Sequence, residues 1–91
     1  MSAAEELEEI AIKYAREAVE LDKQGNREMA IVAYQRAIDN LLKLIHIHPN
    51  YNLNKIYIQR INVYKMRVKA LQGVWYENAS YGDNLTRIEN N

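Results

Sequence analysis

Apolar residues recur three and four positions apart from Leu7 to Trp75, the spacing of one face of an α-helix. Leu7, Ile10, Ala11, Tyr14, Ala18 and Leu21 make a first stripe, and Ile12, Ala15 and Val19 lie beside it on one side only. Ser2-Ala3-Ala4-Glu5 is a capping box ahead of that run, and Gly25 is the residue expected just past its end. Asn26 suits the cap of a second helix, which carries Ala30, Ile31, Tyr34, Ala37, Ile38, Leu41 and Leu44 to about Ile47 before Pro49. Asn50 or Asn52 is expected to cap a third helix reaching about Tyr76. Its main stripe is Leu53, Tyr57, Ile61, Tyr64, Val68, Leu71 and Trp75, and a second stripe runs through Ile56, Val63, Ala70 and Val74. From Asn78 the chain turns to Asn, Ser, Gly, Asp and Thr, so residues 1–77 are expected to be the folded unit and 78–91 a flexible tail or linker.

Three amphipathic helices with short connections predict an all-α fold, an antiparallel up-down-up three-helix bundle. The first and third helices then run parallel. Their surplus apolar stripes fall on the same side of that pair, away from the second helix. The product is a groove floored by Ile12, Ala15, Val19, Ile56, Val63 and Ala70, with Arg60 and Arg67 between the two stripes of the third helix. The same residues also suit a simpler arrangement in which the surplus stripes widen the core.

Composition narrows the function without naming it. The chain has 12 Lys plus Arg and 12 Asp plus Glu, so no basic excess points to nucleic acid. Nor is there a polybasic membrane-surface signature. Neutrality hides an asymmetry, with seven acids against two bases in residues 1–22 and five bases against one acid in residues 51–77. With no cysteine, disulfides, thiolate metal sites and cysteine nucleophiles are excluded. No apolar run approaches the roughly 18 residues of a bilayer span, and the four glutamates of the first ten residues do not suit a signal peptide, which predicts a soluble cytoplasmic protein, or an excised domain of one, with no direct membrane insertion. His46 and His48 are two apart and point to different faces of a helix, so they make a poor metal pair. Asn78-Ala79-Ser80 and Asn84-Leu85-Thr86 match the glycosylation sequon but read as coincidence in an asparagine-rich tail. Phosphate-binding and nucleophile-elbow motifs are absent, and Tyr14, Tyr34, Tyr57 and Tyr64 fit as core anchors. The chain reads as an interaction module with no catalytic residues, metal or cofactor.

Two stretches carry a family resemblance. Lys13-Tyr14-Ala15-Arg16-Glu17-Ala18-Val19-Glu20-Leu21-Asp22-Lys23-Gln24-Gly25-Asn26 resembles the first helix and turn of MIT domains, the microtubule-interacting and trafficking modules. Ala30-Ile31-x-x-Tyr34-x-x-Ala37-Ile38-x-x-Leu41 resembles their second helix, and the likeness extends over roughly residues 4–76. The nearest look is to the N-terminal domains of ESCRT-disassembling AAA ATPases, above all the archaeal cell-division versions.

The resemblance implies a monomeric peptide-binding adaptor for C-terminal motifs of ESCRT-III-like proteins, which recruits an AAA ATPase for filament disassembly in membrane remodelling or cell division. Of the family's two common modes, a helical motif lies between helices 2 and 3 and an extended, proline-containing motif lies between helices 1 and 3. Ala15 falls where the second mode uses a small residue. Lys65 and Lys69 stand where the first mode uses a leucine and an acid, which disfavours it. The implied peptide site is Ala11, Ile12, Ala15, Val19, Ile56, Arg60, Val63, Arg67 and Ala70, with the arginines pairing ligand acids and Glu8, Arg16 and Lys23 edging the opposite wall. Two rival readings remain: a tetratricopeptide-like hairpin, and a helical oligomerisation module that buries the surplus stripes against another copy.

Overall fold

The computed structural model describes residues 2–73. They form three helices, α1 (Ala3–Lys23), α2 (Arg27–Ile47) and α3 (Asn54–Gln72). The capping box is complete: Ser2 Oγ accepts the Glu5 N–H at 3.1 Å and Glu5 Oε1 accepts the Ser2 N–H at 2.9 Å. Gly25 turns the chain at φ +78°, a conformation that favours glycine, and α2 begins two residues later.

Both ends of α3 differ from expectation. Leu53, not Asn50 or Asn52, occupies the N-cap, and no side chain caps the helix. The asparagine that matters is Asn54, the first helical residue. It is buried, and its Nδ2 donates to the His48 carbonyl at 2.6 Å, tying the loop to the helix. Tightly turned backbone around Tyr51 delays the helix past both candidate caps, with the Asn54 N–H donating to Tyr51 O at 3.1 Å. The helix stops at Gly73, in the left-handed region at φ 66°, rather than near Tyr76. Val74, Trp75, the tail expected over 78–91 and both sequons lie outside the described residues.

Small residues decide how the helices pack. Ala11, Ala18, Ala30, Ala33 and Ala37 are all buried, and they form the seam that lets α1 and α2 approach closely. α2 packs against both neighbours, whereas every Cα of α1 stays more than 8 Å from every Cα of α3. Long side chains bridge that interval. Tyr57 and Ile61 join Ala11, Ile38, Leu41 and Leu44 in one apolar cluster, and Val68 joins Ala18, Ala30, Ala33 and Tyr34 in another. Tyr64 packs against both clusters, its ring 5.7 Å from that of Tyr34.

The first stripe is shifted from its expected centre. Ile10, placed in the core by the helix wheel, is 40% exposed, because the buried line of α1 runs through Ala11 and Ala18 with Leu7, Tyr14 and Leu21 half-buried around it. Tyr14 instead lies under the Arg36 guanidinium, 5.6 Å from its ring centre. The topology is the expected up-down-up bundle. The start of α1 bonds to the start of α3, through Glu8 and Tyr57, and the end of α1 to the end of α3, through Asp22 and Arg67.

Candidate functional site

The spacing between α1 and α3 leaves an open, largely apolar cleft of about 330 Å³. α1 contributes Glu8, Ala11, Ile12, Ala15 and Arg16 to one wall. α3 contributes Ile56, Tyr57, Arg60 and Tyr64 to the other, and Leu41 of α2 reaches up from the floor. The reason is local. Ala11 and Ala15 face α3 with side chains too short to fill the interval its backbone leaves. The outer lips stay apolar, with Ile12 45% and Ile56 48% exposed. Such a shallow slot suits side chains presented from an extended backbone better than an enclosed small molecule.

Charge is placed at the edges. The Tyr57 hydroxyl donates to Glu8 Oε2 at 2.8 Å across one end of the cleft. Burial, followed by the bond to the Glu8 carboxylate, pushes the Tyr57 phenol up to about 12. Arg16 and Arg60 stand on opposite walls, and among the described residues neither has a carboxylate within ion-pair distance. Both guanidinium groups are therefore open to a ligand acid.

Beyond the other end of the cleft, Asp22 gathers three hydrogen bonds. Arg67 Nε donates to Oδ2 at 2.7 Å, Arg67 Nη2 to Oδ1 at 2.8 Å, and the Tyr34 hydroxyl to Oδ2 at 2.9 Å. The Arg67 bonds hold the Asp22 carboxyl below its ordinary 3.8, helped by Tyr34 and opposed by desolvation. Desolvation and the neighbouring carboxylate push Tyr34 up to about 12.

Of the nine residues expected to make the site, Ala11, Ile12, Ala15, Ile56 and Arg60 come together around the cleft. Val19, Val63 and Ala70 lie further along their helices and do not line it; Val19 is 39% and Val63 60% exposed, and Ala70 is half-buried. Arg67, expected to meet a ligand acid, instead has its guanidinium on Asp22. Glu8 and Arg16 edge the wall as expected, and Lys23 does not. Leu41, Tyr57 and Tyr64 were expected only as core. They serve both core and cleft, a double role signalled by Tyr57, Arg60 and Tyr64 sharing one helix face with Ile56.

The opposite furrow, between α2 and α3, is shallower in chemistry. Lys65 and Lys69 rim it with Gln35, Asp39 and Gln72, over the nearly buried Ile38 and Val68. His46 and His48 sit at the end of α2, and no group of three metal-ligating side chains occurs among the described residues.

Comparison with known proteins agrees with this architecture. The sequence profile of the MIT (microtubule interacting and transport) domain matches residues 3–73. A relative named Cell division protein C, from Sulfolobus acidocaldarius, is 46% identical over 59 residues, a segment that makes up 65% of this chain and 16% of that protein.

Proposed function

This chain belongs to the MIT domain family, a family of protein-interaction modules, and from that premise we propose that it is an adaptor that captures a C-terminal, proline-containing segment of an ESCRT-III-like protein in the α1/α3 cleft. The observation that carries this reading is the cleft itself: alanine-walled, apolar at its lips and held open by the spacing of α1 from α3. A proline-containing segment is already extended, so it loses little conformational entropy on docking. Its apolar side chains would cover Ala15, Ile12 and Ile56, and a ligand carboxylate would meet Arg60 or Arg16. Lys65 and Lys69 on the other furrow work against a basic helical motif there. A footprint this shallow implies an affinity on the order of micromolar.

Recruitment is the role we assign. The domain would bring an AAA ATPase to a filament acting in membrane remodelling or cell division, in line with the name of the relative. No helix among the described residues is long and apolar enough to cross a membrane. The test is amide-shift mapping with a proline-containing C-terminal peptide of an ESCRT-III-like protein from the same source. Shifts concentrated on Ala11–Ala15 and Ile56–Tyr64 are expected. Shifts concentrated around Lys65, Lys69 and Gln35 would overturn the groove assignment. Sedimentation at micromolar concentration should give a monomer; a stable dimer that hides Ile12 and Ile56 would favour the oligomerisation alternative.

A further inference from the structure

The α1–α3 spacing is not set by close helix packing, since the two backbones stay more than 8 Å apart. Two polar bridges cross the interval, Glu8 to Tyr57 near the helix starts and Asp22 to Arg67 near their ends. The first bridge has a special position. Glu8 and Tyr57 line the main cleft and also a second hollow of about 230 Å³ on the far side, toward Ala4, Leu44 and Tyr51. One hydrogen bond of 2.8 Å is thus the partition between two hollows. Its donor comes from a residue only 8% exposed, whose ring is fixed in the core, and its acceptor is a carboxylate, the stronger kind of partner. Tyr57 and Ile61 also make apolar contacts across the interval, but such contacts are non-directional, so a directed bond is better suited to fix one distance.

We propose that Glu8 and Tyr57 are positioning residues of the cleft: their hydrogen bond fixes the distance between α1 and α3 and so the width a peptide meets. The affinity arm of this proposal rests on the peptide-binding reading above; the distance arm does not. Tyr57→Phe keeps the ring and removes the bond. Glu8→Ala removes the acceptor, and Glu8→Gln keeps one through its side-chain carbonyl.

The chain has no native cysteine, so Glu17→Cys and Asn62→Cys, both exposed and outside the cleft, admit a pair of spin labels across the two helices. Electron–electron resonance should give a narrow distance distribution for the parent and for Glu8→Gln, and a shifted or broadened one for Tyr57→Phe and Glu8→Ala. A Tyr57→Phe distribution that superimposes on the parent overturns the proposal, even if its melting temperature falls. With the proline-containing peptide, Tyr57→Phe should weaken binding about two- to tenfold. In a Glu8→Ala background it should cost nothing further. An equal loss in both backgrounds would mean that the hydroxyl touches the peptide directly, which also overturns the positioning role. If the parent binds no such peptide, the functional reading falls, while the distances still decide whether the bond sets the spacing.

Discussion

Ala15→Asp separates recognition from folding. In the free protein Ala15 is half-buried on the open cleft wall, so a carboxylate there keeps access to water. The folding cost reduces mainly to helix propensity, roughly 0.7 kcal/mol. A bound apolar side chain changes that, because it strips water from the carboxylate against Ala11, Ile12 and Leu41. Desolvating even a neutral polar group without a new partner costs about 1–3 kcal/mol, and a carboxylate costs more, so the loss of affinity should be at least roughly 5- to 150-fold. Arg16 and Arg60 line the same cleft, but a carboxylate that paired with either would occupy a guanidinium the ligand's own acid needs, so pairing offers little rescue of binding. Ala15→Ser, nearly the same size and uncharged, is the control and should lose little. Fluorescence anisotropy with a labelled proline-containing peptide gives the affinities, and far-ultraviolet circular dichroism shows whether the helices persist. Binding by Ala15→Asp within twofold of the parent, alongside loss in Lys65→Asp, would refute the assignment of the site to α1 and α3.

Three further outcomes follow from the packing and the charges. The Asp22 carboxyl is held below its ordinary 3.8, so the stability it contributes is fully present above that value and is lost as pH falls through the lowered one. Urea unfolding should therefore show a gap between parent and Asp22→Asn at about pH 6 that narrows in acid, and a gap that widens there would contradict the ion pair with Arg67. Tyr34 and Tyr57, both pushed up to about 12, should leave a late component in the tyrosinate absorbance titration that shrinks in each Phe variant. Their contribution to stability is present below the unfolded value near 10 and disappears as pH rises toward 12. Ala18→Leu forces a larger side chain into a fully buried position against Ala30, Ala33 and Tyr34, and should cost about 2 kcal/mol, a fall of roughly 10 °C in thermal unfolding.

Helix number, order and topology were legible in the sequence because short-range signals carried them. The Ser2–Glu5 box, Gly25 and Pro49 all act within a few residues, and periodicity registers within a single helix, over a window of about 11–18 residues. The start of α3 was less legible. Three asparagines compete near it, and tertiary burial chose Asn54 for an inward role that no local rule foretells. The stop signal of Gly73 competes with an apolar heptad that invites the helix onward to Trp75. In the cleft, Ile12, Ala15 and Ile56 followed from the wheel, which puts them on the surplus stripes, with Arg60 beside Ile56's stripe, whereas Ala11 belongs to the wheel's central core stripe and lines the cleft as well. Arg67 did not. A wheel gives the direction of a long side chain but not its partner, and Asp22, 45 residues away in sequence, is close only in the folded chain.

The two seams of the bundle differ in kind, and under the peptide-binding proposal this divides the labour between stability and recognition. α1 and α2 meet through a line of buried alanines that tolerates almost no change in volume. Opposite it, the wall positions Ile12, Ala15, Ile56 and Arg60 border open space, so new side chains there alter what the cleft accepts while disturbing few core contacts. A domain built this way can drift from one partner sequence to another by surface-like substitutions, while the alanine seam keeps the scaffold unchanged. Libraries that vary only those four positions should stay largely folded, and selection among them would act on the identity of the captured peptide rather than on survival of the bundle.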